Sequence, residues 1–351
     1  MSKNSVLFSV LLAIVVVVSM SLLGYSQTPA STSELPEVTW KWNFYAMSIE
    51  DEEMAKNLAT QVIPAVKERT GGKFIIDSLW GPELGIAPAN YPKALANGAL
   101  DLAWTYPGYN IGDIPIIGLC VLPMLVSNTE EYKTTAEIFR PGYEKAYEDA
   151  YNGAVRLVVQ GPYNWAQLVT TKPAKSIMDW SGLKIRVAGK VEMQYIEAMG
   201  GTGLMTTWDE MVTSLRQGVV QGAFTDFGSM TNAKLYEMCK NVYVVNAMMG
   251  DHHVIMSTKS FDKLPKEYQD ILLEEMAKAE AYNWSTIVPV NNRFDEALKT
   301  WQENGANIFQ ATPEELKEIS ALCVPIWEQI ASDIGPEAVI LLQKARTALN
   351  K

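Results

Sequence analysis

The chain has 351 residues, 48% of them hydrophobic, and a formal net charge of −11. An acidic chain of this kind is a poor partner for nucleic acid or an anionic membrane surface, because its field repels both. Three cysteines, Cys120, Cys239 and Cys323, lie far apart without a CxxC spacing. They allow one disulfide at most and read better as small buried hydrophobes.

Residues 1–26 carry a single charge, Lys3, and an apolar run from Val6 to Leu23. Gly24 and Ser26 supply the small residues of a cleavage site before Gln27, so the segment reads as a secretory signal peptide. An uncleaved membrane anchor is the alternative. No cysteine ends the run, which argues against a lipid anchor. Residues 27–37 are polar and rich in Pro, Ser and Thr, a flexible lead-in. The remainder exceeds the size of a usual single core, so two lobes are expected.

In VTWKWNFYAM (38–47) Trp40, Trp42 and Phe44 alternate, which predicts a strand. Met54, Leu58, Val62 and Val66 then recur every four residues, a helix ended by Gly71-Gly72, with Pro64 predicting a kink or register break. KFIIDSLWG (73–81) reads as the next strand, and β-helix-β of this length implies a parallel α/β architecture. RLVVQG (156–161) and GLKIRV (182–187) read as further strands. A helix is expected between Gly189 and Gly200, and Thr207 with Glu210 forms a capping box opening another. Four helical segments close the chain, at 265–284, 292–305, 313–330 and 336–350.

One internal similarity organises the rest. KALANGALDLAWTY (93–106) can be laid over TSLRQGVVQGAFTD (213–226), each a helix end, a glycine stop and a short strand. Two lobes of one plan would place a ligand at the carboxyl ends of their strands, at Thr105-Tyr106 and Thr225-Asp226. Catalytic spacings are missing: there is no G-x-S-x-G, H-E-x-x-H, P-loop or G-x-G-x-x-G after a strand. The two histidines, His252 and His253, are adjacent; on a strand they point to opposite faces and make a poor metal pair. No metal or cofactor is expected. Arg186, between Ile185 and Val187, poses a sharper question. A guanidinium inside an apolar strand needs a partner, either a ligand carboxylate or a neighbouring acid at a lobe rim.

LVTTKPAKSIMDWSGLKIRVA (168–188), GVVQGAFTD (218–226), GGKFIIDSLWGPELG (71–85) and NGALDLAW (97–104) together resemble the solute-binding subunit of tripartite ATP-independent periplasmic (TRAP) transporters, of the DctP type. The similarity runs from about residue 38 to 345. It implies a bilobed α/β fold around a ligand cleft. Residues 38–163 with 252–291 would form one lobe, and 164–251 with 292–351 the other. It implies a receptor of the periplasm that captures a small carboxylate and delivers it to small and large permease subunits, as a monomer or homodimer. By the same resemblance Arg186 pairs the ligand carboxylate, Trp208 packs on the ligand, and Thr225 and Tyr106 stand where members place polar contacts.

The chain also departs from the family pattern. Many members carry a second arginine where Ala166 stands here, flanked by Trp165 and Gln167. Members that bind keto acids through a metal have Glu-Trp where this chain has Phe224-Thr225. Aromatic residues in segments expected to edge the cleft, Trp80, Trp104, Tyr106, Trp165, Trp208 and Phe224 among them, suggest a monocarboxylate with an apolar or aromatic body. Asp226 and aromatic faces would also suit an ammonium group. A receptor of another transport or sensing system for a neutral or amine-bearing solute, an exported α/β enzyme and a structural envelope protein are the competing readings.

Overall fold

The computed structural model describes residues 35–50, 52–287 and 292–351. The expected signal peptide, most of the lead-in and the expected lobe crossing near 291 lie outside them.

The first α/β unit runs β1 (Val38–Phe44), α1 (Glu53–Arg69), β2 (Phe74–Trp80), α2 (Tyr91–Asn97) and β3 (Leu102–Thr105). β2 and β3 flank β1, all parallel. The aromatic alternation read in β1 is what joins this edge: Trp40 packs edge-on against Phe74 at 5.1 Å, and Phe44 stacks on Trp80 at 4.4 Å. α1 buries Met54, Leu58, Val62 and Val66, as their spacing predicts. It stays one helix with Pro64 inside it. Pro64 and Thr60 are both exposed, so the carbonyl that the proline leaves unbonded faces water and the expected break does not occur.

After α3 (Thr129–Ala150) and a 16-residue strand, β4 (Val155–Thr170), the plan repeats. β5 (Lys184–Val187), α4 (Lys190–Ala198), β6 (Thr202–Met205), α5 (Trp208–Arg216) and β7 (Gly222–Asp226) again place the first strand between the other two, all parallel. The two matched glycines end their helices alike, Gly98 at φ 80° and Gly218 at φ 70°, a left-handed turn that costs glycine little. Thr207 and Glu210 form the capping box.

The chain continues through α6 (Phe227–Asn232), β8 (Asn241–Val244), β9 (Met249–Ser257), α7 (Thr258–Phe261) and α8 (Lys266–Tyr282). It then forms α9 (Asn292–Glu303), β10 (Asn307–Gln310), α10 (Pro313–Ile334) and α11 (Pro336–Leu349). The strand order β2-β1-β3-β9-β4-β7-β5-β6 reads as two copies of one unit facing each other across β9 and β4. These two strands run antiparallel to each other, β9 is antiparallel to β3 and β4 to β7, so the sheet is mixed where sequence predicted it parallel. β4 serves both units, pairing β9 up to Trp165 and then β7 and β8 from Ala166 to Thr170. Register slips between Pro162 and Trp165, where proline has no N–H for the ladder. α11 packs on α3, and α10 packs on α4 and α11. All three cysteines are free and buried. Among the described residues no helix is long and apolar enough to cross a membrane.

Gly222 marks the tightest passage of the second unit, between Thr170 of β4 and Ile185 of β5. A Cβ there would collide with the Val169 carbonyl oxygen and crowd Ile185 Cδ1 at 3.0 Å. Gly222→Ala is expected to lower stability by about 1–3 kcal/mol, the usual cost of overpacking. An unchanged urea midpoint would refute this.

Candidate ligand-binding site

A cavity of about 280 Å³ opens at the carboxyl ends of β1, β3, β5 and β7. Residues just past β1 (Tyr45, Ala46, Met47) and β3 (Tyr106, Tyr109) line one side, joined by Tyr163 and Asn164 from the irregular part of β4. Arg186, Ala188, Glu192, Trp208 and the end of β7 line the other. The internal repeat therefore places its two Thr-X ends where the alignment located them.

Arg186 is 1% exposed, between two neighbours that are fully buried. Its Nε and Nη2 both donate to the Thr206 carbonyl oxygen, at 3.1 and 2.8 Å. Its Nη1 is buried without a hydrogen-bond partner. Burial lowers its pKa, opposed by the Glu192 carboxylate, yet a guanidinium keeps its proton in any folded protein. The site thus holds a cation that lines the cavity and keeps one buried donor unused.

Glu192 lies in the first turn of α4, where the helix dipole favours an anion. It is 4% exposed; Tyr106 donates its hydroxyl to Oε1, and Oε2 has no partner. Burial pushes its pKa up, while the Tyr106 hydroxyl and the Arg186 charge oppose that shift. Asp226 caps α6: Oδ1 accepts from the Ser229 backbone N–H and lies 2.6 Å from the Ser229 hydroxyl, while Oδ2 is buried and unpartnered. The same hydroxyl also meets Glu52. Burial raises the Asp226 pKa, and hydrogen bonding from Ser229 and Asn164 opposes that shift.

Aromatic rings fill the facing wall. Tyr109 stands edge-on to Tyr45 and Tyr106, with centroids 5.7 and 5.5 Å apart. Tyr45 stacks on the buried Trp104 at 4.6 Å and its hydroxyl meets that of Tyr163. Burial raises the pKa of Tyr45, Tyr106 and Tyr163, so all three present neutral phenols.

Of the residues singled out in the sequence, the structure brings Tyr106, Arg186, Trp208, Phe224, Thr225 and Asp226 to this cavity. It does not bring Trp165, Gln167 or Trp80. Ala166 lines the cavity, and its strand neighbours face away. Gln167 is fully buried, accepting from the backbone N–H groups of Val245 and Asn246 at 2.8 and 3.0 Å. Trp165 borders an adjoining groove with Phe227 and Phe294, which shares Asn164 and Ser229 with the cavity. Trp80 is taken up by its stack on Phe44. Sequence reasoning missed Glu192, Tyr45, Tyr163 and Ser229. Two of these carried a signal: Glu192 stands three residues after the glycine that opens α4, and Ser229 three after the capping Asp226.

Comparison with known proteins places this geometry. The DctP family model, described as bacterial extracellular solute-binding protein family 7, matches residues 46–333. The chain belongs to this family of TRAP-type extracytoplasmic solute receptors. The sialic acid-binding periplasmic protein SiaP of Vibrio cholerae is 24% identical, with 78% of this chain and 87% of SiaP covered. Among solved structures, DctP7 of Bordetella pertussis, a receptor binding pyroglutamic acid, superposes with a TM-score of 0.80. It is 20% identical, over 88% of this chain and 99% of DctP7. A TRAP solute-binding protein of Shewanella oneidensis with bound succinate gives a TM-score of 0.78 at 15% identity, over 88% and 99% of the two chains. These likenesses show the bilobed α/β fold.

The histidines lie behind the cavity, not in it. His253 hydrogen-bonds the Tyr147 hydroxyl at 3.0 Å and Asp251 at 3.3 Å. His252 is fully buried against Trp104 and Tyr163, and neither of its nitrogens has a partner. Burial, with the neighbouring His253, lowers its pKa to about 3. The unfolded chain takes up this proton below about pH 6.5, whereas the folded chain refuses it until about pH 3. Stability from this group is therefore complete above pH 6.5 and is lost as pH falls from there toward 3. Urea titrations across that window should show His252→Leu flattening the decline, and an unchanged slope would refute it.

Proposed function

We propose that this protein is a periplasmic receptor that closes two lobes over a small organic acid and pairs its carboxylate with Arg186. It then delivers the solute, unchanged, to a TRAP permease of small and large membrane subunits. The observation that carries the reading is Arg186, a residue that lines the cavity and whose Nη1 is a buried charged donor without a hydrogen-bond partner. A carboxylate oxygen is the complementary group, and a charge-assisted bond in a water-poor cavity is strong and directional. The acids named for SiaP, DctP7 and the Shewanella protein support the ligand class. Ala166 provides no second clamp, and the tyrosine wall with Trp208 and Phe224 suits an apolar or aromatic body, so a monocarboxylate is the favoured solute. In this reading residues 38–163 with 252–291 form one lobe and 164–251 with 292–351 the other, β4 and β9 joining them. Residues 1–26 direct export and are removed.

A bound solute should raise stability by RT ln(1 + [L]/Kd), about 2.7 kcal/mol at a hundredfold excess over Kd. In thermal melts against a panel of mono- and dicarboxylates, Arg186→Ala should lose the shift while melting cooperatively without ligand. Arg186→Lys, lacking the planar fork, should retain part of it. A full shift in Arg186→Ala would overturn the assignment.

A further inference from the structure

We infer that the solute carries a cationic nitrogen as well as its carboxylate. This rests on the reading of Arg186 above and extends it to the opposite charge. Among the described residues the cavity sets the Arg186 guanidinium beside the carboxyl groups of Glu192 and Asp226. A plain carboxylate closed in with them would add a further acid beside these two, where little water is left to screen it. A zwitterion keeps the same bond to Arg186 and supplies the missing positive charge.

The acids are also built to receive it. Glu192 and Asp226 are each held by one oxygen, the first by Tyr106 and the second by Ser229. Each leaves its other oxygen buried and without a hydrogen bond, Glu192 Oε2 on a side chain only 4% exposed. A buried acceptor left unpaired is costly, and an ammonium donor would satisfy it. The two lie at different reaches from the arginine. Glu192 follows it by six residues on the adjoining helix start. Asp226 lies three residues beyond Ala223, the β7 partner of Arg186, roughly 10 Å further along the strand direction. Tyr45, Tyr106 and Tyr109 line the same cavity, and tyrosine ring faces attract cations.

The test is titration calorimetry with matched pairs of probes. The proteinogenic amino acids, γ-aminobutyrate and glycine betaine are each set beside an uncharged-nitrogen counterpart. The counterparts are the N-acetyl acids and, for glycine betaine, its carbon isostere tert-butylacetate. At least one zwitterion should bind about tenfold or more tighter than its counterpart. Glu192→Gln or Asp226→Asn should erase that preference, read within each variant as the ratio of zwitterion to counterpart affinity. Both variants keep the acceptor oxygen that Tyr106 or Ser229 uses, so the fold is retained. If every counterpart binds as well as its zwitterion, the inference fails; loss of that binding in Arg186→Ala would leave the carboxylate reading standing. Binding of no acid of either kind, dicarboxylates included, would overturn both.

Discussion

A guanidinium enclosed by protein with one nitrogen unused is the constraint around which the site is arranged. Arg186 cannot shed its charge, and the only protein acceptor it bonds among the described residues is one carbonyl oxygen, that of Thr206. Both bonds go to the same atom, which fixes the plane of the fork and leaves Nη1 unbonded. Glu192 answers the charge only at longer range. An unpaired charged donor in a folded interior is costly, which is why Arg186 is the proposed partner of a solute carboxylate.

The fold delivers that arrangement through symmetry. Each unit ends a parallel strand against an antiparallel crossing strand, β3 against β9 and β7 against β4. The carboxyl ends of both units then meet over the same space. Within the second unit, β5 contributes the cation, the start of α4 an acid, and the end of β7 another acid that also caps α6. The first unit contributes tyrosines. The irregular stretch of β4 around Pro162, at the passage between units, turns Tyr163 and Asn164 toward the cavity. Strands shared by both halves are where a closing motion would have to be absorbed.

Much of this was legible in the sequence. Helix periodicity located α1, α4 and α5, the capping box at Thr207 was as read, and the weak internal repeat correctly marked two equivalent strand ends. Arg186 stood out because a charge in an apolar strand contradicts its local pattern. The failures have physical reasons. Residues 156–161 were read as a strand, but the antiparallel direction of β4 and the whole of β9 were missed, because pairing direction is a long-range property with no local periodicity. Trp165 and Gln167 were placed in the cavity by adjacency to Ala166, although strand alternation sends them to the other face. Trp80 was drawn in by its aromaticity, but cross-strand stacking on Phe44 had already claimed it. Glu192 was overlooked because an acid at a helix start is common and its burial becomes visible only in three dimensions.

The central claim concerns one atom, so the most direct measurement is a crystal structure of the protein purified from its own export compartment with its solute retained. The account predicts a small organic acid in the cavity between Tyr109 and Trp208, with a carboxylate oxygen in hydrogen-bond contact with Arg186 Nη1. A solute whose carboxylate lies elsewhere, or a cavity in which Nη1 is bonded to a protein acceptor while the solute binds, would contradict it.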